Sequence, residues 1–133
     1  MVIDTSALLA IFLNEPDAPR FELAIESDSK RLISAASLLE TSIVLGTRFG
    51  DAGDRELGLF IRKAKLQVIA VSEDHAEIGR YAYRSYGKGR HPAALNFGDC
   101  FSYALSKASG EALLFQGTDF SRTDIDAVEF SVD

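Results

Sequence analysis

The sequence predicts an α/β fold, a mostly parallel sheet of four to five strands covered by helices on both faces. Three observations carry this. Short apolar runs rich in Val, Ile and Leu alternate with longer stretches of helical periodicity. The stretches between successive strands are long enough to hold crossover helices. Polar residues that start helices stand directly after the first strand. The whole chain, 1–133, is expected to form one domain, since 133 residues can bury a sizeable core unaided.

Met1-Val2-Ile3 suffices for a short buried strand, and Asp4-Thr5-Ser6 both ends it and opens a helix over 5–13. That helix closes near Asn14-Glu15-Pro16, because proline restricts the residue before it. Phe21, Leu23, Ala24 and Ile25 recur at helical spacing over 17–26, and a short strand follows over 31–34. A strongly apolar helix over 37–49 stops at Gly50. Within it Ser37-Leu38-Leu39-Glu40 has the pattern of a capping box, so Glu40 is either that cap or a functional acid. An amphipathic helix over 54–65 leads into the clearest strand, 66–71. A helix over 73–86 is broken by the glycine-flanked basic loop 87–92. The last main helix, 98–108, carries Phe101, Ala104, Leu105 and Ala108 on one stripe. A strand over 112–115, a turn at Gly117-Thr118-Asp119 and a weak strand over 127–132 complete the chain.

Composition narrows the class. No apolar run approaches the ~20 residues of a membrane span, and no export signal opens the chain, since Asp4 interrupts the first apolar stretch. One cysteine, Cys100, excludes an internal disulfide, and His75 and His91 alone make no zinc set; a reducing cytoplasm is the expected setting. The net charge of −6 argues against a general nucleic-acid binder, yet one segment is basic. Arg80, Arg84, Lys88 and Arg90 follow one another without an acid, interleaved with Tyr81, Tyr83 and Tyr86.

In an open parallel sheet ligands collect at the carboxyl edge of the strands. Asp4 and Asp119 both follow predicted strands, while Glu40 and Asp99 fall in the first turns of helices that begin on that same edge. Each has an ordinary structural explanation: Asp4 and Asp99 as helix caps, Asp119 as a turn residue. Together they form a constellation of four carboxylates, which repel one another unless a cation is present. Oxygen-only ligands favour Mg²⁺ or Mn²⁺, and two such ions about 3.5–4 Å apart are a standard device for phosphodiester hydrolysis.

Four segments also carry a family resemblance: Val2-Ile3-Asp4-Thr5-Ser6-Ala7-Leu8, Leu39-Glu40-Thr41, Leu95-Asn96-Phe97-Gly98-Asp99-Cys100 and Leu114-Phe115-Gln116-Gly117-Thr118-Asp119-Phe120. In this order they closely resemble the PIN-domain ribonucleases, specifically the VapC toxins of type II toxin–antitoxin pairs. The resemblance implies a three-layer α/β/α sandwich and an Mg²⁺-dependent endoribonuclease that halts translation by cutting tRNA or rRNA. It implies Asp4 and Asp99 as principal metal ligands, Glu40 and Asp119 as supporting acids, and Ser6, Asn96 and Thr118 as pocket support. Asp124 stands as a candidate fifth acid. The family further implies a homodimer and a cognate VapB-like antitoxin whose tail covers the active site.

Within the basic segment, Arg84, Lys88, Arg90 and His91 are the candidate RNA contacts, whereas Tyr81 and Tyr83 are expected to pack into the core. Two rival classes are a phosphoacceptor signalling domain and a non-catalytic PIN scaffold. The first would want adjacent acids after the first strand, where Val2-Ile3-Asp4-Thr5 offers one. A nucleotide-binding P-loop is unsupported, because Gly87-Lys88 is followed by Gly89 rather than Ser or Thr.

Overall fold

In the computed structural model, which describes residues 1–130, four short strands form one parallel sheet in the order β3-β2-β1-β4. They are β1 (Val2–Ile3), β2 (Leu32–Ser34), β3 (Gln67–Ile69) and β4 (Leu113–Leu114). Val2 registers with Leu32 on one side and with Leu113 on the other, which puts the first strand at the centre. Each crossover carries two helices: α1 (Thr5–Phe12) and α2 (Ala18–Ser27), then α3 (Ala35–Phe49) and α4 (Asp51–Lys63), then α5 (Glu73–Tyr86) and α6 (Phe97–Ser109).

The pleat sorts the core into two sides. Ile3, Ile33 and Leu114 pack with α1 through α4 against Leu8, Phe21, Leu45 and Leu57. Their neighbours Val2, Leu32 and Leu113 face the opposite way, onto Ala82 of α5 and Tyr103 and Leu105 of α6. This period-two alternation builds the expected three layers. Each fully buried aliphatic or aromatic side chain contributes about 1.5–3 kcal/mol, so a sheet of two- and three-residue strands is held by its flanking helices more than by its ladder.

Several boundaries move. The third helix begins at Ala35, capped by Ser34, whose hydroxyl accepts from the Ala36 amide, so the Ser37–Glu40 capping box does not form. Glu40 therefore sits in the second turn of α3 and not the first. Ser37 is free to turn inward, and it is buried. The fourth helix starts three residues early, at Asp51, where Gly50 with φ 68° turns the chain directly from α3 into α4. Gly53 then lets the two helices meet, since a Cβ there would lie 2.6 Å from the Leu45 carbonyl oxygen. The stripe on α6 is broader than expected. Cys100 and residues 102–106 are all buried while Ala108 is exposed, because α6 lies between the sheet and α5.

The final strand shortens to one bridge, Leu113 with Ala127, in which the Val128 amide donates to the Leu113 carbonyl. Residues 131–132 of that expected strand lie outside the described residues. Among the described residues no helix is long and apolar enough to cross a membrane.

Candidate active site

The strand order reverses between β1 and β4, and the crevice at such a switch point lies beyond the strands' carboxyl ends. Asp4 follows β1 there, and Gln116 to Asp119 follow β4. Asp4 is only 4% exposed, and its environment explains how a carboxylate tolerates that depth. Oδ2 accepts from the Ser6 amide at 3.0 Å and from the Ser6 hydroxyl at 2.6 Å. Oδ1 accepts from the Ser102 hydroxyl at 2.5 Å. The capping explanation and the pocket explanation thus describe one conformation: Asp4 caps α1 through one oxygen while each oxygen retains acceptor capacity.

Ser6 is a junction, because its Oγ also accepts the Gln116 amide at 2.9 Å and so ties the ends of β1 and β4 together. Beneath Asp4 runs a chain of buried hydroxyls that inspection of the sequence misses. Ser102 lies 3.2 Å from the Ser37 hydroxyl; Thr5 donates to the Ser37 carbonyl at 3.0 Å, and Thr41 lies 3.2 Å from Thr5. The signal for Ser102 was its place one turn after Asp99 on a helix buried over a wide arc. Periodicity marked that arc only by its apolar members.

Asp99 is the third residue of α6 and closes a capping box. The Asn96 amide donates to Asp99 Oδ2 and the Asp99 amide to Asn96 Oδ1, both at 2.9 Å. Burial is the chief cause raising the Asp99 carboxyl, to about 6; the Asn96 amide opposes it, and the charges of Asp4, Asp119 and Glu40 add to it. The other three predicted acids therefore each lie near enough to act on Asp99. Glu40 reaches it from α3: its carboxylate lies against Gly98, where a Cβ would stand 2.7 Å from Oε1. A side chain at that point would have to displace the Glu40 carboxylate, a matter of close approach and not of an unusual φ. Asp119 and Thr118 are exposed on the turn after β4. The Gln116 Oε1 is buried there without a partner among the described residues.

Asp124 does not join the group. It accepts from the Tyr103 hydroxyl at 2.7 Å and pairs with Lys107 at 3.1 Å. Its neighbours are thus a tyrosine and a lysine, not the other acids.

The donor set is carboxylate oxygen without thiolate or imidazole, the chemistry of Mg²⁺ or Mn²⁺. Among the described residues no three carboxylates converge closely enough to ligate a single ion in this conformation. The Asp4 and Asp99 carboxylates are held by hydrogen bonds, whereas among the described residues those of Glu40 and Asp119 accept none.

The basic segment leads to the same edge. The Lys88 amide donates to the Leu95 carbonyl and the Leu95 amide to the Tyr86 carbonyl, both at 2.9 Å, which closes the loop directly before Asn96. Arg84, Lys88 and Arg90 are exposed, and among the described residues none has a carboxylate partner. The Arg90 guanidinium stands 5.8 Å from the Tyr83 ring centroid. His91 is used internally: Nδ1 accepts the Ala93 amide at 3.0 Å, and its ring meets Tyr86 edge-on at 5.1 Å. Tyr81 and Tyr83 do not enter the core; they are 47% and 39% exposed, and Tyr86 is the inward one, touching Tyr103.

The PIN domain family matches residues 1–126. Ribonuclease VapC30 of Mycobacterium tuberculosis is 58% identical over 128 residues, covering 96% of this chain and 98% of that protein. The chain belongs to the VapC ribonuclease family of PIN domains. A VapC ribonuclease of Mycolicibacterium smegmatis is 56% identical, over 96% of this chain and 99% of its own length. The VapC fold is met again at much lower identity. Mycobacterium tuberculosis VapC20, a sarcin-ricin loop cleaving toxin, superposes with TM-score 0.77 at 19% identity, over 96% of this chain and 97% of that one. VapBC2 of Rickettsia felis, solved on a promoter DNA fragment, gives TM-score 0.73 at 15% identity, with 96% of each chain covered.

Proposed function

We propose that this chain is the toxin of a type II toxin–antitoxin pair and acts as a divalent-metal-dependent endoribonuclease. The observation that carries the reading is the action of Asp4, Asp119 and Glu40 on the Asp99 carboxyl at the switch point of the sheet. The ribonuclease names of relatives more than 50% identical across nearly the whole chain support it.

Asp4 and Asp99 are the principal ligands and Glu40 and Asp119 the supporting ones. When bound there, Mg²⁺, or Mn²⁺ in its place, supplies an acidified water and neutralises charge on the phosphate. The chain's own residues do the positioning. Ser6 and Ser102 fix the Asp4 carboxylate from both sides, and the Asn96 amide fixes Asp99. Gly98 admits Glu40, and Ser6 holds the β4 turn beside Asp4. Arg84, Lys88 and Arg90 hold phosphates of a tRNA or rRNA substrate along the flank. A VapB-like antitoxin is the partner that masks this pocket, in an assembly built on a homodimer in the cytoplasm.

Purified chain incubated with end-labelled RNA is expected to cut it in Mg²⁺ or Mn²⁺ and to stop on addition of EDTA. Asp4→Ala and Asp99→Ala are expected to abolish cutting while circular dichroism shows the fold retained. Cutting that survives in both variants would refute the assignment. RNA bound but left intact by the wild-type chain with metal would point to a non-catalytic scaffold.

A further inference from the structure

Three of the four residues in Asn96-Phe97-Gly98-Asp99 have work in the structure: Asn96 caps α6, Gly98 makes room for Glu40, and Asp99 is a pocket acid. Phe97 has none. It is 78% exposed, more than any other large apolar side chain among the described residues. Its ring is nevertheless oriented. Phe101, one turn on, meets it edge-to-face with centroids 4.9 Å apart and planes at 88°. An aromatic ring held by a T-shaped contact and open to solvent over most of its surface can serve as a stacking platform, and every nucleobase has a π-face to offer it.

Its surroundings favour a base as the occupant. On one side, two residues back, Leu95 is tied to the loop that carries Lys88 and Arg90, cations with no carboxylate partner among the described residues. On the other side, two residues on, lies Asp99. We infer that Phe97 stacks on an unpaired base of the RNA next to the phosphodiester at the acid pocket, with the Lys88 and Arg90 loop holding phosphates farther along the strand. Phe97 is then a substrate-binding residue for looped or single-stranded RNA. This rests on the RNA-cleaving reading for its choice of ligand, and its test needs no cleavage.

The chain has no tryptophan, so Phe97→Trp introduces a single indole at the proposed contact, whose emission is excited selectively over that of the four tyrosines. With EDTA present, a short single-stranded oligoribonucleotide added to that variant is expected to quench its emission. In the same buffer Phe97→Ala is expected to bind the oligonucleotide about 5- to 150-fold more weakly than wild type, and Phe97→Trp at least as tightly as wild type. An oligonucleotide with one abasic position opposite the ring should bind wild type and Phe97→Ala alike. Unquenched emission, or equal RNA affinity in wild type and Phe97→Ala, overturns the proposal. So does a Phe97→Ala chain whose only change in sedimentation analysis is loss of self-association, which would make the ring a contact between copies. Quenching and weakened binding in a chain that never cuts RNA would uphold the stacking contact and defeat the ribonuclease reading.

Discussion

The Ser102 hydroxyl is the least conspicuous contact on Asp4 and among the most consequential. Its bond at 2.5 Å is buried and ends on a carboxylate, the class of hydrogen bond that contributes about 1.5–3 kcal/mol. Ser102→Ala is expected to destabilise the chain by about that amount in chemical denaturation and to lower the cleavage rate, because Asp4 loses one of its two anchors. Gly98→Ala separates site from fold differently. The new methyl would meet the Glu40 carboxylate, the far end of a flexible side chain, so the acid shifts and the helix stands. The expected outcome is stability within about 1 kcal/mol of wild type alongside a clear loss of rate. Asp99 gives a test with a sign. Its carboxyl titrates near 6 in the folded chain and at 3.8 by reference, so between these values the native state holds more protons than the unfolded one. Stability of metal-free protein therefore falls as pH rises from about 4 to 6, and the deficit, about 1–3 kcal/mol, persists above it. Asp99→Asn is expected to remove that decline and to melt higher than wild type at pH 7.

At the scale of elements, the basic loop between α5 and α6 is the feature whose charge and position have to agree. Replacing both Lys88 and Arg90 with Ala is expected to weaken RNA binding and to flatten its dependence on salt by about 1.4 logarithmic units per decade, the loss of two phosphate contacts on a single strand. An unchanged slope in a binding titration would return the loop to a solvated connection. Most elements were legible because strands and helices differ in period, and β1, α1, α2, β2 and α5 fall within a residue or two of their expected bounds. What the pattern could not supply was set by packing. Ser34 and Ser37 are equally good caps by chemistry, and the choice of Ser34 follows from β2 running straight into α3. The exposure of Tyr81 and Tyr83 follows from α5 covering α6 with only part of its surface. The last strand reduces, among the described residues, to one bridge in which the Leu113 amide donates to the Asp126 carbonyl and the Val128 amide to the Leu113 carbonyl.

For the whole molecule, the sequence groups the four acids because an alternating α/β chain has one edge where strands end and helices start, and the structure brings the other three near enough to act on Asp99. Their support was not legible, since Ser102, Ser37, Thr5 and Thr41 come from three helices that meet only when the layers close. The opposite edge has its own charge cluster. The N-terminal ammonium donates to Asp28 at 2.8 Å and lies 3.3 Å from Glu111. That ammonium first, and the Lys30 amide next, hold the Asp28 carboxyl below its usual value. Its contribution is present above the unfolded pKa and lost as pH falls through the folded one, so Asp28→Asn should soften acid unfolding and leave RNA cleavage alone. The central claim remains that the carboxylates at the switch point form one cation-binding catalytic pocket. Calorimetric titration of Mn²⁺ into metal-free wild type and into Asp99→Asn tests it most directly. Saturable binding to the wild type that is lost or greatly weakened in Asp99→Asn is the result predicted; equal binding to both chains, or none to the wild type, would contradict it.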